Sequence, residues 1–228
     1  MLSKCIIDFK PISPKHGDLF EKSMVFKNHA QGGGLVEVAR RLEKAGVLGL
    51  SVVTEYEHFG GSLELLRSIA KAVSVPVLRK DFIRTEDDLR ETLDCGAKAA
   101  LLICAATPNV GELHEKALSI GLRPVVEVHT REEMKLAADM GAKIIGINNK
   151  DISDFERDGG TVELTMELIK TAPKGAFIIS ESGITCREDA QKAFDAGAGA
   201  VLIGTAFWQG RFDGEFFSAA ENLPAENL

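Results

Sequence analysis

Residues 194–204, FDAGAGAVLIG, carry a pattern that occurs four times in the chain: the end of a helix, a glycine, and a run of small and β-branched apolar residues. The other copies are EKAGVLGLSVV (43–53), LDCGAKAALLI (93–103) and ADMGAKIIGIN (138–148). A glycine just past a helix supplies the left-handed conformation that ends it, and a continuous apolar run is typical of a strand buried on both faces. The repeat therefore predicts strands of a parallel sheet, each preceded by a helix.

Four further apolar runs lie between these copies, and segments with helical periodicity separate the strands. The runs are CIIDF (5–9), VPVLRK (75–80), LRPVVEV (122–128) and AFIISE (176–181), and the predicted helices cover 62–73, 86–95, 109–120, 131–140 and 187–196. Strand and helix alternate eight times, which predicts an α/β fold, a single (β/α)8 TIM barrel. A doubly wound open sheet is the alternative, but the even spacing favours closure. We expect one domain over residues 1–228 with a long first βα loop at about 10–34.

The charge and composition of the chain indicate which kinds of binding partner to expect. The net charge is −7 and the isoelectric point is near 5.4, which argues against nucleic acid or an anionic membrane surface. No apolar stretch is long enough to span a bilayer. The four cysteines are scattered without a CxxC pair, so we expect reduced thiols and a cytoplasmic location. We also expect a monomer or a small homo-oligomer.

Polar residues follow the predicted strands, where a barrel places its functional groups. They are Asp8 and Lys10, Thr54 and Glu55, Lys80 and Asp81, Cys104, Glu127 and His129, Asn148 and Lys150, Glu181 and Ser182, and Gly204 and Thr205. A solvated turn explains any one of them. Lysines and glutamates that converge on one rim are better explained as a site.

Two late segments resemble a phosphate cradle. SESGI (180–184) and IGTAF (203–207) follow the seventh and eighth predicted strands, where barrels commonly bind phosphate through backbone N–H groups. Gly183 and Gly204 would allow close approach of the backbone, and Ser182 and Thr205 add hydroxyl donors. We expect a small phosphorylated substrate.

Three lysines, Lys10, Lys80 and Lys150, are predicted to share this rim, which suits a substrate with more than one negative charge. Repulsion between them and partial burial would lower the pKa of one lysine and make it a general acid near neutral pH. Carboxylates at the rim, among them Glu127, would accept a proton or hold the lysines in place.

The histidines show no spacing typical of metal ligands, so we expect no metal. His114 is predicted to be solvated on its helix, and His129 to begin a loop and to take no part in the chemistry. Residues 31–34, QGGG, indicate a flexible hinge, with a mobile lid as the alternative.

Several segments together resemble the signature blocks of the indole-3-glycerol phosphate synthase family. They are LSVVTEYEHFGGS (50–62), PVLRKDFI (76–83), VVEVHT (125–130), IIGINNKDI (144–152) and SESGI (180–184), with FKPISP (9–14) as a looser copy of the first block. The resemblance covers nearly the whole chain. It implies a barrel lyase of tryptophan biosynthesis that closes the indole ring of 1-(2-carboxyphenylamino)-1-deoxyribulose 5-phosphate with loss of CO2 and water, without a metal or organic cofactor.

The resemblance also implies roles for individual residues. Lys80 matches the general acid that protonates the substrate carbonyl, Lys10 the lysine that contacts the substrate carboxylate, and Glu127 the general base of dehydration. The other matches are Asn148 and Glu181 as polar residues of the catalytic set, Phe59 and Phe82 as walls around the anthranilate ring, and Ser13, Ser182, Gly183, Gly204 and Thr205 as phosphate ligands.

The sequence departs from the family in four places. Asp8 stands where the family has a catalytic Glu, and Lys150 stands where it has Arg, which replaces a planar fork by a point charge. The stretch from Lys10 to Leu35 is longer than usual. About 40 residues normally precede the first strand, and here four residues precede Cys5. Either the first loop replaces the missing cover or the substrate differs.

Three functions therefore remain open at this stage. The first is the synthase itself. The second is a paralogous lyase or isomerase that acts on another phosphorylated carbonyl substrate, and the third is a non-catalytic barrel that binds a phosphorylated metabolite.

Overall fold

Eight parallel strands close into a barrel at the centre of the protein. The computed structural model describes residues 2–29, 33–150, 160–212 and 214. Its strands are β1 (Cys5–Phe9), β2 (Ile12–Ser13), β3 (Gly17–Asp18), β4 (Gly49–Val53), β5 (Val77–Lys80), β6 (Ala99–Ile103), β7 (Arg123–Val128), β8 (Ile144–Asn148), β9 (Phe177–Glu181) and β10 (Ala200–Ile203). The barrel order is β1-β10-β9-β8-β7-β6-β5-β4, with β1 paired to β4. The predicted barrel is confirmed, and the open sheet is wrong.

Helices follow the barrel strands along the chain. They are α1 (Leu19–Lys22), α2 (Met24–His29), α3 (Gly34–Lys44), α4 (Leu63–Ala72), α5 (Glu86–Asp94), α6 (Val110–Ser119), α7 (Arg131–Asp139), α8 (Glu163–Leu168), α9 (Arg187–Asp195) and α10 (Thr205–Trp208). Ser62, Thr85 and Thr130 each begin a helix by accepting a hydrogen bond from a backbone N–H in its first turn, as N-cap residues do. The five helices predicted from periodicity begin and end within one residue of their predicted first and last residues.

The core follows the alternation of side chains along each strand. One set of positions fills the inside of the barrel with apolar side chains; it includes Ile6, Leu78, Leu101, Val125, Ile179 and Leu202. The alternate positions, such as Ile7 and Val52, pack outward against the helices. In four of these strands the inward position two residues further along is polar and buried, and this change marks the mouth of the barrel.

The first βα connection has structure of its own beside the mouth. β2 and β3 form a separate antiparallel hairpin, and α1 and α2 follow it. Buried Trp208 anchors this region, because its indole N–H donates to the Asp8 carbonyl (2.7 Å) and its own carbonyl accepts from the Ser23 hydroxyl (2.7 Å). Three phenylalanines, Phe9, Phe20 and Phe207, meet the indole edge-on. Gln31 and Gly32 of the predicted hinge lie outside the described residues.

The prediction for His114 is wrong. Its side chain is buried, because Val110, Leu113 and Ala117 occupy the same face of α6 at helical spacing and that face packs on the barrel. Burial lowers the pKa of His114 despite the nearby charge of Glu115, which keeps the ring neutral.

Two further findings concern the chain as a whole. Among the described residues, no helix combines the length and the hydrophobicity that crossing a bilayer requires. The four cysteines form no disulfide within the described ranges.

Candidate active site

Six polar residues at the carboxyl ends of five strands are buried at the mouth of the barrel. Asp8 and Lys10 come from β1, Lys80 from β5, Glu127 from β7, Asn148 from β8 and Glu181 from β9. Each follows an inward apolar position by an even number of residues, so the pleat directs it into the mouth. All six had been predicted as site residues, and the structure brings them together.

Lys80 lies between two carboxylates. Its Nζ is 3.3 Å from Glu127 Oε2 and 3.6 Å from Glu181 Oε2, and both glutamate side chains are 0% exposed. Glycine at 146 makes room for this arrangement, because a Cβ there would meet Glu181 Oε1. Two buried carboxylates favour the charged form of the ammonium between them. The groups next to Lys80 are therefore negatively charged. The sequence also predicted repulsion between Lys80 and the other lysines of the rim.

Glu127 is held from more than one side. Besides Lys80, the amide Nδ2 of Asn148 donates to Glu127 Oε1 at 3.3 Å. Asn148 is itself oriented, because its Oδ1 accepts from the Lys150 backbone N–H at 3.1 Å. The result is a fixed carboxylate whose two oxygens meet different donors.

An apolar pocket opens on one side of Lys10 and Lys80. Phe59, Phe82 and Ile103 line it, together with Val53 and Leu101. Lys10 Nζ lies over the Phe59 ring, 5.5 Å from its centroid, within the range of a cation–π contact. This pocket has the shape and lining that suit a flat aromatic ring next to a cation.

A polar cavity of about 140 Å³ opens on the other side of the same two lysines. Four predicted phosphate ligands, Ser182, Gly183, Gly204 and Thr205, line it, and so does Lys150. Ser13, the fifth predicted ligand, is buried in the β2–β3 hairpin, and its side chain is not part of the cavity wall.

Three basic residues of this cavity were missed from the sequence: Lys15, His16 and Arg211. Lys15 and His16 lie in the turn between β2 and β3, and Arg211 lies after α10. The unusual length of the stretch from Lys10 to Leu35 is a signal for the first two residues, but their place in the cavity depends on a hairpin that folds back over the mouth. Lys15 and Arg211 make the cavity more positive than the three rim lysines alone.

The protonation of His16 depends on the positive charges around this cavity. Partial burial and the charges of Lys15, Lys150, Arg211 and Lys10 lower its pKa, so the ring is neutral at neutral pH. A bound dianion offsets the positive potential and raises the pKa of His16. By linkage, the anion binds more tightly as pH falls and His16 becomes protonated.

We therefore expect the affinity for sulfate, whose charge is constant over this range, to rise several-fold between pH 7.5 and pH 5.5. His16→Asn should flatten this dependence, since asparagine does not titrate. Isothermal titration calorimetry at several pH values measures it. Identical pH dependence in wild type and His16→Asn would remove His16 from the anion site.

The Ser182–Gly183 loop is shaped by backbone conformation and by Asn149. Both Ser182 and Gly183 have positive φ, +60° and +68°. The Asn149 amide donates to the carbonyls of Glu181 (2.9 Å) and Ser182 (3.0 Å), which ties the end of β9 to the end of β8. Asn149 is thus a fourth residue that sequence reasoning missed.

The backbone conformation at Gly183 makes one substitution unsuitable as a test of anion binding. A Cβ at Gly183 would lie 2.7 Å from the Gly160 carbonyl oxygen, and positive φ is unfavourable for a β-branched side chain. Gly183→Val therefore disturbs the loop itself and does not test the anion contact alone.

Some strand-end residues serve the scaffold. Asp81 accepts hydrogen bonds from Thr54 Oγ1 (2.5 Å) and Arg79 (3.0 Å) at the edge of the apolar pocket that it helps to line. Glu55 accepts from the backbone N–H groups of His58 and Phe59, which orders the loop that carries Phe59. Glu55, Glu57 and His58 lie close enough to share a metal ion, but the loop hydrogen bonds already account for the position of Glu55.

Comparison with known proteins gives one consistent family. The family model described as indole-3-glycerol phosphate synthase matches residues 3–214. A protein of that name from Pyrococcus abyssi (strain GE5 / Orsay) is 40% identical over 202 residues, which cover 88% of this chain and 83% of the relative. One from Exiguobacterium sp. (strain ATCC BAA-1283 / AT1b) is 39% identical over 203 residues, 88% of this chain and 75% of the relative.

A solved structure supports the fold alone. It is the N-acetylmannosamine-6-phosphate 2-epimerase from Clostridium perfringens, with a TM-score of 0.68 and 17% sequence identity over 94% of this chain and 92% of the other. At that identity the match concerns the barrel architecture, which hosts many different reactions.

Proposed function

The chain belongs to the indole-3-glycerol phosphate synthase family, the lyases that close the indole ring in tryptophan biosynthesis, and we propose that the site described above carries out this reaction. The substrate is 1-(2-carboxyphenylamino)-1-deoxyribulose 5-phosphate. Ring closure releases CO2 and water and leaves indole-3-glycerol phosphate.

One observation supports this assignment above the others: the two pockets share Lys10 and Lys80. The substrate has a phosphate at one end and a carboxylated aromatic ring at the other, with the reacting carbonyl between them. The polar cavity suits the phosphate, and the pocket of Phe59 and Phe82 suits the ring. The reacting atoms then lie next to the shared lysines.

Lys80 is the general acid in this proposal. Attack of the ring carbon on the substrate carbonyl places negative charge on the carbonyl oxygen, which must take up a proton. Glu127 and Glu181 hold the Lys80 ammonium charged and in place. Proton transfer from Nζ to the oxygen forms the new hydroxyl group as the C–C bond forms.

Lys10 assists the loss of CO2. The carbon that attacks also bears the carboxylate, so the ring recovers its aromaticity when the C–CO2 bond breaks. Lys10 is buried beside Phe59, where an ammonium can pair with the substrate carboxylate next to the ring.

Glu127 is the general base of the last step, in which it takes a proton from the CH2 carbon next to the ring nitrogen. The C–O bond to the hydroxyl group breaks as the ammonium of Lys10 protonates the leaving oxygen, so that water departs and the new C=C bond makes the pyrrole ring aromatic. The Glu127 carboxylate is completely buried and bonded to Asn148 and Lys80, so it is pointed at the substrate without rearrangement. Asn148 and Glu181 position the two reacting side chains. Asp8 accepts from the Ser51 hydroxyl at 2.6 Å, and we assign it to the same supporting set.

The phosphate group is assigned to Ser182, Gly183, Gly204 and Thr205. Gly204 lies against Asp8, where an added Cβ would approach Oδ2 to 3.3 Å, so a larger residue at 204 would narrow the cavity. Lys150 adds a positive charge to the wall, although it supplies one ammonium where an arginine would supply a fork.

The remaining proposals concern setting and partners. We place the protein in the cytoplasm, as one domain that acts on a small molecule and binds neither nucleic acid nor membrane, as a monomer or a small homo-oligomer. The net charge of −7 supports the absence of polyanionic partners.

Turnover of the purified protein tests the assignment. Incubation with the carboxyphenylamino-deoxyribulose phosphate should produce indole fluorescence at a rate proportional to enzyme concentration. A protein that binds this compound without converting it would favour the non-catalytic barrel. A protein that neither binds nor converts it, yet binds another sugar phosphate, would favour the paralogous enzyme.

A further inference from the structure

His129 lies between two glutamates at the mouth of the barrel. Its Nε2 is 3.6 Å from Glu127 Oε1 and its Nδ1 is 3.6 Å from Glu133 Oε2. The side chain is 14% exposed. His129 follows Glu127 by two positions, so it continues the inward face of β7 into the mouth. The expectation that His129 merely begins a loop does not explain this arrangement.

Glu133 is fixed by the start of α7. Its backbone N–H donates to Thr130 Oγ1 (3.1 Å), and its Oε2 accepts the His129 backbone N–H (2.6 Å). Burial alone would raise the pKa of Glu133, but hydrogen bonds from His129 and Thr130 outweigh this effect and lower it. A charged carboxylate therefore stands on the far side of the imidazole from Glu127.

The groups that face the imidazole favour its charged form. Burial alone would lower the pKa of His129, and the charge of Lys80 acts in the same direction, but Glu133 and Glu127 outweigh both and leave the pKa raised. Cys104, next along the mouth, has a pKa raised to about 12 by burial and by Glu133 and Glu127, so it stays a neutral thiol. The imidazole is thus set between two carboxylates.

We propose that His129, held by Glu133, is a positioning residue that keeps the Glu127 carboxylate ionised and oriented while it waits to act as base, a role that rests on the proposed function of Glu127. Lys80 alone cannot do this throughout the reaction. Once Lys80 has given its proton to the substrate carbonyl, its positive charge is gone, and dehydration still lies ahead. The imidazolium of His129 then remains beside Glu127. After Glu127 has taken a proton, the same charge favours its release to water.

His129→Gln and Glu133→Gln separate this role from a structural one. Glutamine at 133 preserves the ability to cap the helix but removes the charge that holds His129. Glu132→Gln is the matched control, because Glu132 is exposed on the same turn.

The first measurement is the pH profile of kcat. His129→Gln removes the positive charge beside Glu127, so the acid limb of its profile should move to higher pH by about one unit, since a charge at this distance shifts a pKa by about 1–3 units. Glu133→Gln should shift it less, in the same direction, and Glu132→Gln should not shift it. KM should stay within about twofold of wild type. An acid limb at the wild-type position in His129→Gln, even with a lower kcat, would overturn the proposal.

The second measurement does not depend on turnover. NMR titration of histidine-labelled protein gives the pKa of His129, whose signal is assigned by its loss in His129→Gln. Glu127→Gln and Glu133→Gln should each lower this pKa, and Glu132→Gln should leave it unchanged. A His129 pKa that ignores Glu127→Gln would contradict the coupling even if the protein proved inactive on the indole precursor, in which case the proposed function would fail separately.

Discussion

Replacement of Lys80 by arginine is expected to lower kcat at least about a hundredfold, the lower end of the effect of losing a general acid. Arginine keeps the positive charge between Glu127 and Glu181, so the buried carboxylates remain paired and the fold should survive. A guanidinium hardly releases its proton near neutral pH, so the carbonyl oxygen lacks its donor. Steady-state kinetics by indole fluorescence measures the effect, and substrate affinity should change far less than kcat.

Two further variants serve as a control and as a comparison for Lys80→Arg. Lys71→Arg makes the same exchange at an exposed position on α4 and should leave kcat unchanged. Lys80→Met should be as inactive as Lys80→Arg and also less stable, since it leaves two buried carboxylates without their cation, at a cost of about 3–5 kcal/mol for a broken buried pair. A folded Lys80→Arg enzyme with near-normal turnover would show that another group supplies the proton.

Replacement of Glu127 by glutamine is expected to have the second largest effect, a loss of about 10²–10⁴ in kcat for removal of a general base. The amide keeps the size of the side chain and a carbonyl oxygen for Asn148, but it cannot take a proton. Because decarboxylation precedes dehydration, the first turnover should still release CO2 while indole formation stalls. Rapid-quench measurement of CO2 and of indole product in a single turnover separates the two steps.

Glu115→Gln provides the control for charge removal, since Glu115 is exposed on α6 and should show both products at wild-type rates. Indole and CO2 that appear together in Glu127→Gln at an unchanged rate would exclude Glu127 as the base of dehydration.

The fold was predictable because its signal is repeated. The glycine and apolar run at 194–204 recur at 43–53, 93–103 and 138–148, and each marks the end of a helix and the start of a barrel strand. Burial on both faces leaves such strands with a continuous apolar pattern. The central residues of the site followed from the same logic, because a barrel places the carboxyl ends of its strands, and the polar side chains they carry, at one mouth.

The rest of the site depends on contacts between residues that are far apart in the sequence, and such contacts cannot be predicted from local patterns. Lys15 and His16 reach the phosphate cavity only because the β2–β3 hairpin folds over the mouth, and Arg211 reaches it from the other end of the chain. The role of His129 depends on its contact with Glu133, and the position of Glu133 is set by the first turn of α7. Local patterns do not encode these distances, and side chains of the same type elsewhere, such as His114, are part of the core.

This protein closes the indole ring with loss of the substrate's aromatic carboxylate, and a substrate labelled in that carboxylate shows whether it does. Substrate with ¹³C in that carboxylate is converted by the wild-type enzyme, and the label is followed by NMR and mass spectrometry. We expect one labelled CO2 to be released for each indole-3-glycerol phosphate formed, and the product to carry no label. Conversion to a product that retains the ¹³C, or no conversion by a folded protein, would contradict this expectation.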